Sequence, residues 1–332
     1  MSKPPERLFL TNAHTLNYER WVGNLTSDGI RILITTSGYE ERSTYWINKT
    51  IKKIKPSDKN IFITIGFNEY RNELSRKFND EYYIKKKIKI EIPKTDGWTD
   101  FRTLLLELFT QKIGADLNKN PIEIHVDYSC MPRVWYCRLP MFLETYFKKS
   151  DKIFFWYTPG EYPKAEYPSA GVEDFQIFSG KPSLSPLFRT HIFGLGFDRI
   201  RSQAIWSVID PDNLICFYSE PGTRPGYVER VKKDNKELLQ TANYTFTVPI
   251  NDFIYMYSKI ASIVQEFKNM GDVIIVPDGP KPLILASSLV PLFLNQTGIV
   301  CFHVTKNKNI VEKLVDVKPA GEPFGFNYYG TL

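Results

Sequence analysis

The sequence is poor in the residues from which reactive and metal centres are built. It has four cysteines and four histidines in 332 residues. Cys130, Cys137, Cys216 and Cys301 form no C-x-x-C pair, and His125, His191 and His303 stand at no metal-ligand spacing from them. No metal site is therefore expected. Cys216 and Cys301 lie inside apolar runs, where a thiol serves as a small core residue. Reduced thiols are the default reading, which suits a cytoplasmic protein. No apolar run approaches the roughly 18 residues of a membrane helix, and the N-terminus lacks a signal-peptide core, so no membrane partner is expected. The dinucleotide G-x-G-x-x-G, the phosphate loop of P-loop enzymes, the G-x-S-x-G elbow and H-x-x-x-H are all missing. No cofactor is expected on that ground, and no nucleophile–base pair stands out. The charge excess is small, 43 − 37 = +6. The basic residues are dispersed apart from Lys85-Lys86-Lys87. That balance suits a phosphate-bearing small molecule but does not indicate direct DNA or RNA binding.

What the chain does have is a long internal repeat. A hydrophobic run ends in Gly38-Tyr39-Glu40-Glu41-Arg42-Ser43, and a later one in Gly196-Phe197-Asp198-Arg199-Ile200-Arg201-Ser202. A strand closes at Pro93 before Asp96, and another at Pro249 before Asp252. Asp127-Tyr128-Ser129-Cys130-Met131-Pro132-Arg133 leads into a helix carrying Pro140-Met141-Phe142-Leu143. Asp278-Gly279-Pro280-Lys281-Pro282 leads into one carrying Pro291-Leu292-Phe293-Leu294. The registers agree, with 249 − 93 = 156 and 278 − 127 = 151.

Between these landmarks, short runs rich in Ile, Val and Phe alternate with amphipathic helices. Such a pattern predicts buried parallel strands joined by crossover helices. The fold class expected is α/β: two tandem Rossmann-like, doubly wound units with mostly parallel sheets, related by internal duplication. The expected boundaries are a first repeat over 1–157, a Pro/Gly/Ser/Tyr-rich connecting strap over 158–187, a second repeat over 188–317 and an irregular tail over 318–332. The strand near 88–92 should lead to a helix from about Trp98, and one continuous helix is expected over Arg133–Phe147.

In open α/β sheets ligands bind beyond the carboxyl ends of the strands, and each repeated motif falls at such an end. In the first, Gly38 permits the tight turn, Ser43 or Ser202 can cap or line a helix start, and Arg42 or Arg201 can reach an anion held there. Asp198 is the matching acid in the second half. A capped helix start with surface charges explains the same residues and stays open as the alternative. In the second motif, an acid, a turn and a helix beginning at a cation can hold phosphate. Arg133 can clamp it, Ser129 can donate a hydrogen bond and Asp127 can take a ribose hydroxyl. Asp278, Gly279 and Lys281 are the counterparts. Turn chemistry alone is the alternative here. Arg224, in the loop Ser219–Tyr227, sits near an aromatic as stacking on a base or ribose requires, and an ordinary loop is the alternative. Should the scaffold be catalytic, Glu40, Glu41 and Asp127 are the acid/base candidates.

At the Asp127–Arg133 and Asp278–Lys281 turns, the chain resembles the CRISPR-associated Rossmann-fold (CARF-like) sensor domains and the SAVED-like domains that fuse two such units. Asp-Gly-Pro-Lys-Pro looks like their Gly-Gly-Thr-Lys-Pro turn, with Pro280 where Thr is expected. Asp-Tyr-Ser-Cys-Met-Pro-Arg looks like their Asp-x-Ser/Thr-x-x-x-Arg turn, with Cys-Met-Pro replacing small residues. The resemblance implies a nucleotide or nucleotide-derived ligand, even a cyclic oligonucleotide, held in a cleft between the halves. It also implies a sensor role in prokaryotic antiviral defence, with a separate effector protein as partner. A nucleotide-processing hydrolase cleaving a phosphodiester or N-glycosidic bond, and a scaffold subunit of a multi-protein complex, are the competing expectations. The first half, with Glu40, Arg42, Asp127, Ser129 and Arg133, is expected to carry most of the chemistry.

Overall fold

A computed structural model describes residues 14–17, 30–53, 60–114, 122–147, 152–162, 172–183, 188–305 and 316–329. The strands are β1 (His14–Asn17), β2 (Ile30–Ser37), β3 (Asn60–Gly66), β4 (Ile90–Glu91), β5 (Ile122–Asp127), β6 (Lys152–Tyr157), β7 (Gly160–Glu161), β8 (Phe175–Lys181), β9 (Arg189–Gly194), β10 (Asn213–Ser219), β11 (Tyr244–Val248), β12 (Asp272–Val276), β13 (Ile299–Val304), β14 (Lys318–Pro319) and β15 (Phe324–Tyr329). They fall into two compact units. Among the described residues, one unit takes 14–162 and 316–329, and the other takes 172–305.

The first unit holds a seven-stranded sheet in the order β1-β15-β6-β5-β2-β3-β4. The second holds six strands in the order β11-β10-β9-β12-β13-β8. Within each, five strands are parallel. Numbered in chain order inside their own unit, those five run 3-2-1-4-5 in both sheets. This is the Rossmann arrangement, with its reversal point between the first and fourth strands. The two sheets confirm α/β architecture with two Rossmann-like units.

The strands form where the sequence is β-branched and apolar. All eight residues of β2 are buried, as are all seven of β10, because helices cover both faces. In the first unit Leu33, Trp46, Ile47, Tyr83, Phe154 and Trp156 make a core cluster. In the second, Phe193, Leu195, Ile205, Cys216, Val231 and Leu238 make the counterpart. His125 is wholly buried in the first sheet, where its Nδ1 accepts from Trp156 Nε1 at 3.1 Å.

Three expectations are corrected. The residues after 317 are not an irregular tail: β15 is a full strand, antiparallel to β6 and β1. Gly and Asn in its sequence masked the alternation that carries it. Phe326 is buried and stacks on Phe155 at 5.3 Å, while Gly325 passes so close to the Phe155 carbonyl that a Cβ would sit 2.0 Å from it. The strap also contributes strands: β7 pairs with β14, and β8 pairs antiparallel with β13. The helix expected over Arg133–Phe147 is two helices, Arg133–Tyr136 and Leu139–Tyr146, with Pro140 in the first turn of the second. A first turn is where a proline costs a helix least, although the equivalent Pro291 lies inside the unbroken helix Lys281–Leu294. The remainder of the strap, 163–171 and 184–187, lies outside the described residues.

These strands reveal a reciprocal pattern. The segment after β6, the fifth strand of the first sheet, supplies β8 to the edge of the second sheet. The segment after β13, the fifth strand of the second sheet, supplies β15 to the first.

Candidate functional site

In the first unit, the turn after β2 is shaped by side chains that hold its backbone. Ser43 Oγ donates to Thr36 O at 2.6 Å and accepts from Gly38 N at 3.0 Å. Asn79, from the helix Leu74–Lys85, donates to Gly38 O at 2.8 Å and Glu40 O at 2.9 Å. The short 3-10 helix Glu41–Thr44 then carries Arg42 inward. Its Nε donates to Glu40 Oε2 at 2.5 Å. Nη1 donates to Thr158 O at 3.0 Å and Tyr157 Oη at 3.2 Å, and Nη2 to Tyr162 Oη at 3.2 Å. Arg42 is 0% exposed. Gly160 leaves room for it, since a Cβ there would lie 2.8 Å from Nη1.

The turn after β5 is equally self-contained. Asp127 is buried, and its Oδ1 accepts from Ser129 N at 3.0 Å and Ser129 Oγ at 2.5 Å. Ser129 Oγ in turn accepts from Thr158 N at 2.7 Å. The Cys130 thiol donates to Glu40 Oε2 at 3.5 Å, which joins the two turns at the reversal point. Glu41 is exposed, with its N–H on Asp316 Oδ1 at 2.8 Å. Arg133 begins the helix Arg133–Tyr136 and is half-buried.

The second unit repeats the plan with different partners. Asp198 caps the helix Arg199–Ile209, accepting from Arg201 N at 3.0 Å. Arg201 is 3% exposed. Its Nη2 donates to Val304 O at the end of β13, and its Nε lies 3.7 Å from Asp278 Oδ2. Asn235 donates to Gly196 O at 2.8 Å and Val231 O at 2.9 Å. The turns after β9 and β12 meet backbone to backbone. A Cβ on Gly196 would lie 2.6 Å from Gly279 Cα, and one on Gly279 would lie 2.4 Å from Leu195 O. Gly279 also has φ +92°, a conformation that favours glycine. Lys281 opens the 14-residue helix Lys281–Leu294 and is half-buried beside this contact. Ser202 is fully buried in the first turns of the helix Arg199–Ile209. Arg224 is half-buried, and its carbonyl accepts from Tyr227 N at 3.3 Å.

The structure thus brings Gly38, Glu40, Arg42, Ser43, Asp127 and Ser129 together in one unit, and Asp198, Arg201, Ser202, Asp278, Gly279 and Lys281 in the other. Arg42 and Arg201, expected to meet ligand phosphate, are both buried and turned into the protein. Each ties the helix after the first strand to the end of the fifth. Their acidic partners have diverged: Glu40 from the same turn in the first unit, Asp278 from the turn after the fourth strand in the second. Asn79 and Asn235 were missed by the motif reading. Their separation, 235 − 79 = 156, equals that of Pro249 and Pro93, so the repeat register itself carried the signal. Arg76 was missed too: it is 1% exposed at the carboxyl end of β3, donating to Phe67 O at 3.1 Å and Asp80 Oδ1 at 2.7 Å.

Among the described residues no group of three or more His, Cys, Asp or Glu is placed to hold a metal ion, and no helix is long and apolar enough to cross a membrane. No family model matches the chain, and no curated protein matches it. Among solved structures, one similar chain is the cytoplasmic domain of a prokaryotic cation chloride cotransporter, at 10% identity and a TM-score of 0.24. That match covers 85% of this chain and 96% of the other.

Proposed function

We propose that the protein binds a nucleotide or nucleotide-derived ligand at the carboxyl edges of its Rossmann-like sheets. One observation carries the reading. In both units the strand order reverses between the first and fourth strands, and at that point a glycine turn lies against an acid-bearing turn that opens a helix on a cation. Sheets of this order take their ligands at that reversal point, and a helix start with a nearby cation suits a phosphate. Lys281 and Arg133 are the half-buried cations at those helix starts, whereas Arg42 and Arg201 serve the scaffold. A sensor role in a prokaryotic defence system, acting on a separate effector protein, is the wider form of this proposal; it rests on the resemblance of the two turns. Binding is favoured over hydrolysis because Glu40 is held by Arg42 and the Cys130 thiol, and Asp127 by Ser129, each inside its own turn.

Calorimetric titration and thermal unfolding with ATP, GTP, NAD and linear and cyclic oligonucleotides test this. At a hundredfold excess over Kd, a ligand stabilises the native state by about 2.7 kcal/mol. At least one member of the panel is expected to bind, and Lys281→Ala is expected to weaken it at least about tenfold without lowering the stability of the free protein. No binding by any of them, or binding indifferent to both Lys281→Ala and Arg133→Ala, overturns the proposal.

A further inference from the structure

The two sheets differ in how they end. The third strand of the first unit, β4, has only two residues. It is flanked by Lys85-Lys86-Lys87, and Lys89 Nζ pairs with Glu91 Oε1 at 2.8 Å on the strand itself. Short length and charge are how sheet edges are protected from pairing with another chain. At the far edge of the second sheet, β8 carries a register irregularity opposite Cys301 and Phe302, a second such device. The third strand of the second unit, β11, has neither. It is Tyr244-Thr245-Phe246-Thr247-Val248, five residues with no charge, no proline and no bulge. It lies at the end of its sheet, paired only with β10 among the described strands. Tyr244 is 51% exposed, and Thr245 and Thr247 are exposed.

The free hydrogen-bonding groups follow from the ladder. Val248 O accepts from Glu220 N at 3.0 Å, so Val248 faces β10. In a parallel strand alternate residues face opposite neighbours. Phe246 and Tyr244 therefore face β10 as well, and Thr245 and Thr247 direct their N–H and C=O groups outward.

We propose that this edge pairs with the β11 edge of a second copy, antiparallel and centred on Phe246, to make one continuous sheet of twelve strands. The sequence is complementary to itself in that register. Thr245 lies opposite the second copy's Thr247, and the reverse holds by symmetry, so all outward N–H and C=O groups are matched in two hydrogen-bonded pairs. Phe246 meets Phe246 on the two-fold axis, and Tyr244 meets Val248. Thr–Thr, aromatic–aromatic and aromatic–β-branched pairs are the favourable cross-strand combinations, and no charged residues of the two strands oppose. A two-fold contact of one strand with itself is closed and stops at the dimer.

Sedimentation equilibrium of the full chain, with circular dichroism as the control for folding, tests both the contact and its register. The wild type is expected to dimerise in a concentration-dependent way. Thr245→Lys with Thr247→Lys sets lysine opposite lysine twice and is expected to raise the dimer dissociation constant at least about tenfold. Thr245→Glu with Thr247→Lys sets glutamate opposite lysine twice and is expected to keep the dimer. Both substituted positions are exposed, so both variants should fold. A monomeric wild type, including one that instead captures an unrelated extended peptide at this edge, overturns the proposal. So does a dimer indifferent to the double lysine change, or failure of the Glu/Lys variant to dimerise.

Discussion

Replacing Arg42 with methionine separates a ligand clamp from a structural latch. The guanidinium makes four hydrogen bonds, to Glu40 Oε2, Tyr157 Oη, Thr158 O and Tyr162 Oη. Hydrogen bonds that involve a charged group contribute roughly 1.5–3 kcal/mol each. Four of them sum to more than a buried charge can return, because taking the guanidinium out of water costs several kcal/mol. The net effect of removing one member of a buried pair is about 3–5 kcal/mol, since Glu40 and the Thr158 carbonyl are left without their donor. The Glu40 side chain is 14% exposed, so water relieves part of its charge and the lower end of that range is expected. Urea unfolding followed by far-ultraviolet circular dichroism measures the loss. A drop of less than about 1 kcal/mol, with an unchanged dependence on denaturant, would refute the assignment of Arg42 to the scaffold and return it to the ligand.

Further outcomes follow from the same geometry. Asn79→Leu and Asn235→Leu each strand the carbonyl of the first-strand glycine and should destabilise by about 1–3 kcal/mol, read by urea unfolding; equality with wild type in both would sink the shared role. Gly279→Ala meets both the positive φ and the Leu195 carbonyl, so it should destabilise more than Gly226→Ala, which has a similar φ but open space around it. Thermal unfolding ranks the pair, and a reversed order contradicts the backbone contact at Gly196. His191 is buried, and burial with Arg189 nearby depresses its pKa to about 4. The unfolded chain binds its proton near pH 6.5, so between pH 6.5 and 4 the unfolded state holds more protons and stability falls as pH falls. At about 1.36 kcal/mol per unit, this group contributes a loss of about 3 kcal/mol across that window. His191→Phe should flatten the stability profile there, and a profile unchanged by the substitution would contradict it.

Much of the architecture was legible because periodicity is a local signal. The runs of β2, β5, β9 and β12 and the turns that end them needed only neighbouring residues to be read. The irregularities were not local. The short third strand β4 is fixed by pairing with β3, and β15 is fixed by Phe155 and Trp156, more than 150 residues away in sequence. At the candidate sites, the motifs named residues that lie together within each unit, but residue type did not reveal direction. Arg42 reads as a phosphate ligand until Tyr157, Thr158 and Tyr162 are seen around it. Asn79 lies mid-helix and Asn235 at the junction of the helices Tyr227–Asp234 and Lys236–Thr241, neither in a motif, and only the equal spacing of the repeat connects them.

The crossed supply of β8 and β15 imposes an order on synthesis. When the first half of the chain has been made, β6 is still an open edge, because the strand that covers it follows the entire second half. The second sheet has its own edge strand available from the start, since β8 precedes β9. The later half can therefore complete its sheet first, and the earlier half must wait with an apolar strand, Ile153-Phe154-Phe155-Trp156, uncovered on one side. An exposed edge of that kind is prone to pairing with other chains. The β6 edge is thus open to misassembly in the interval between making β6 and making β15.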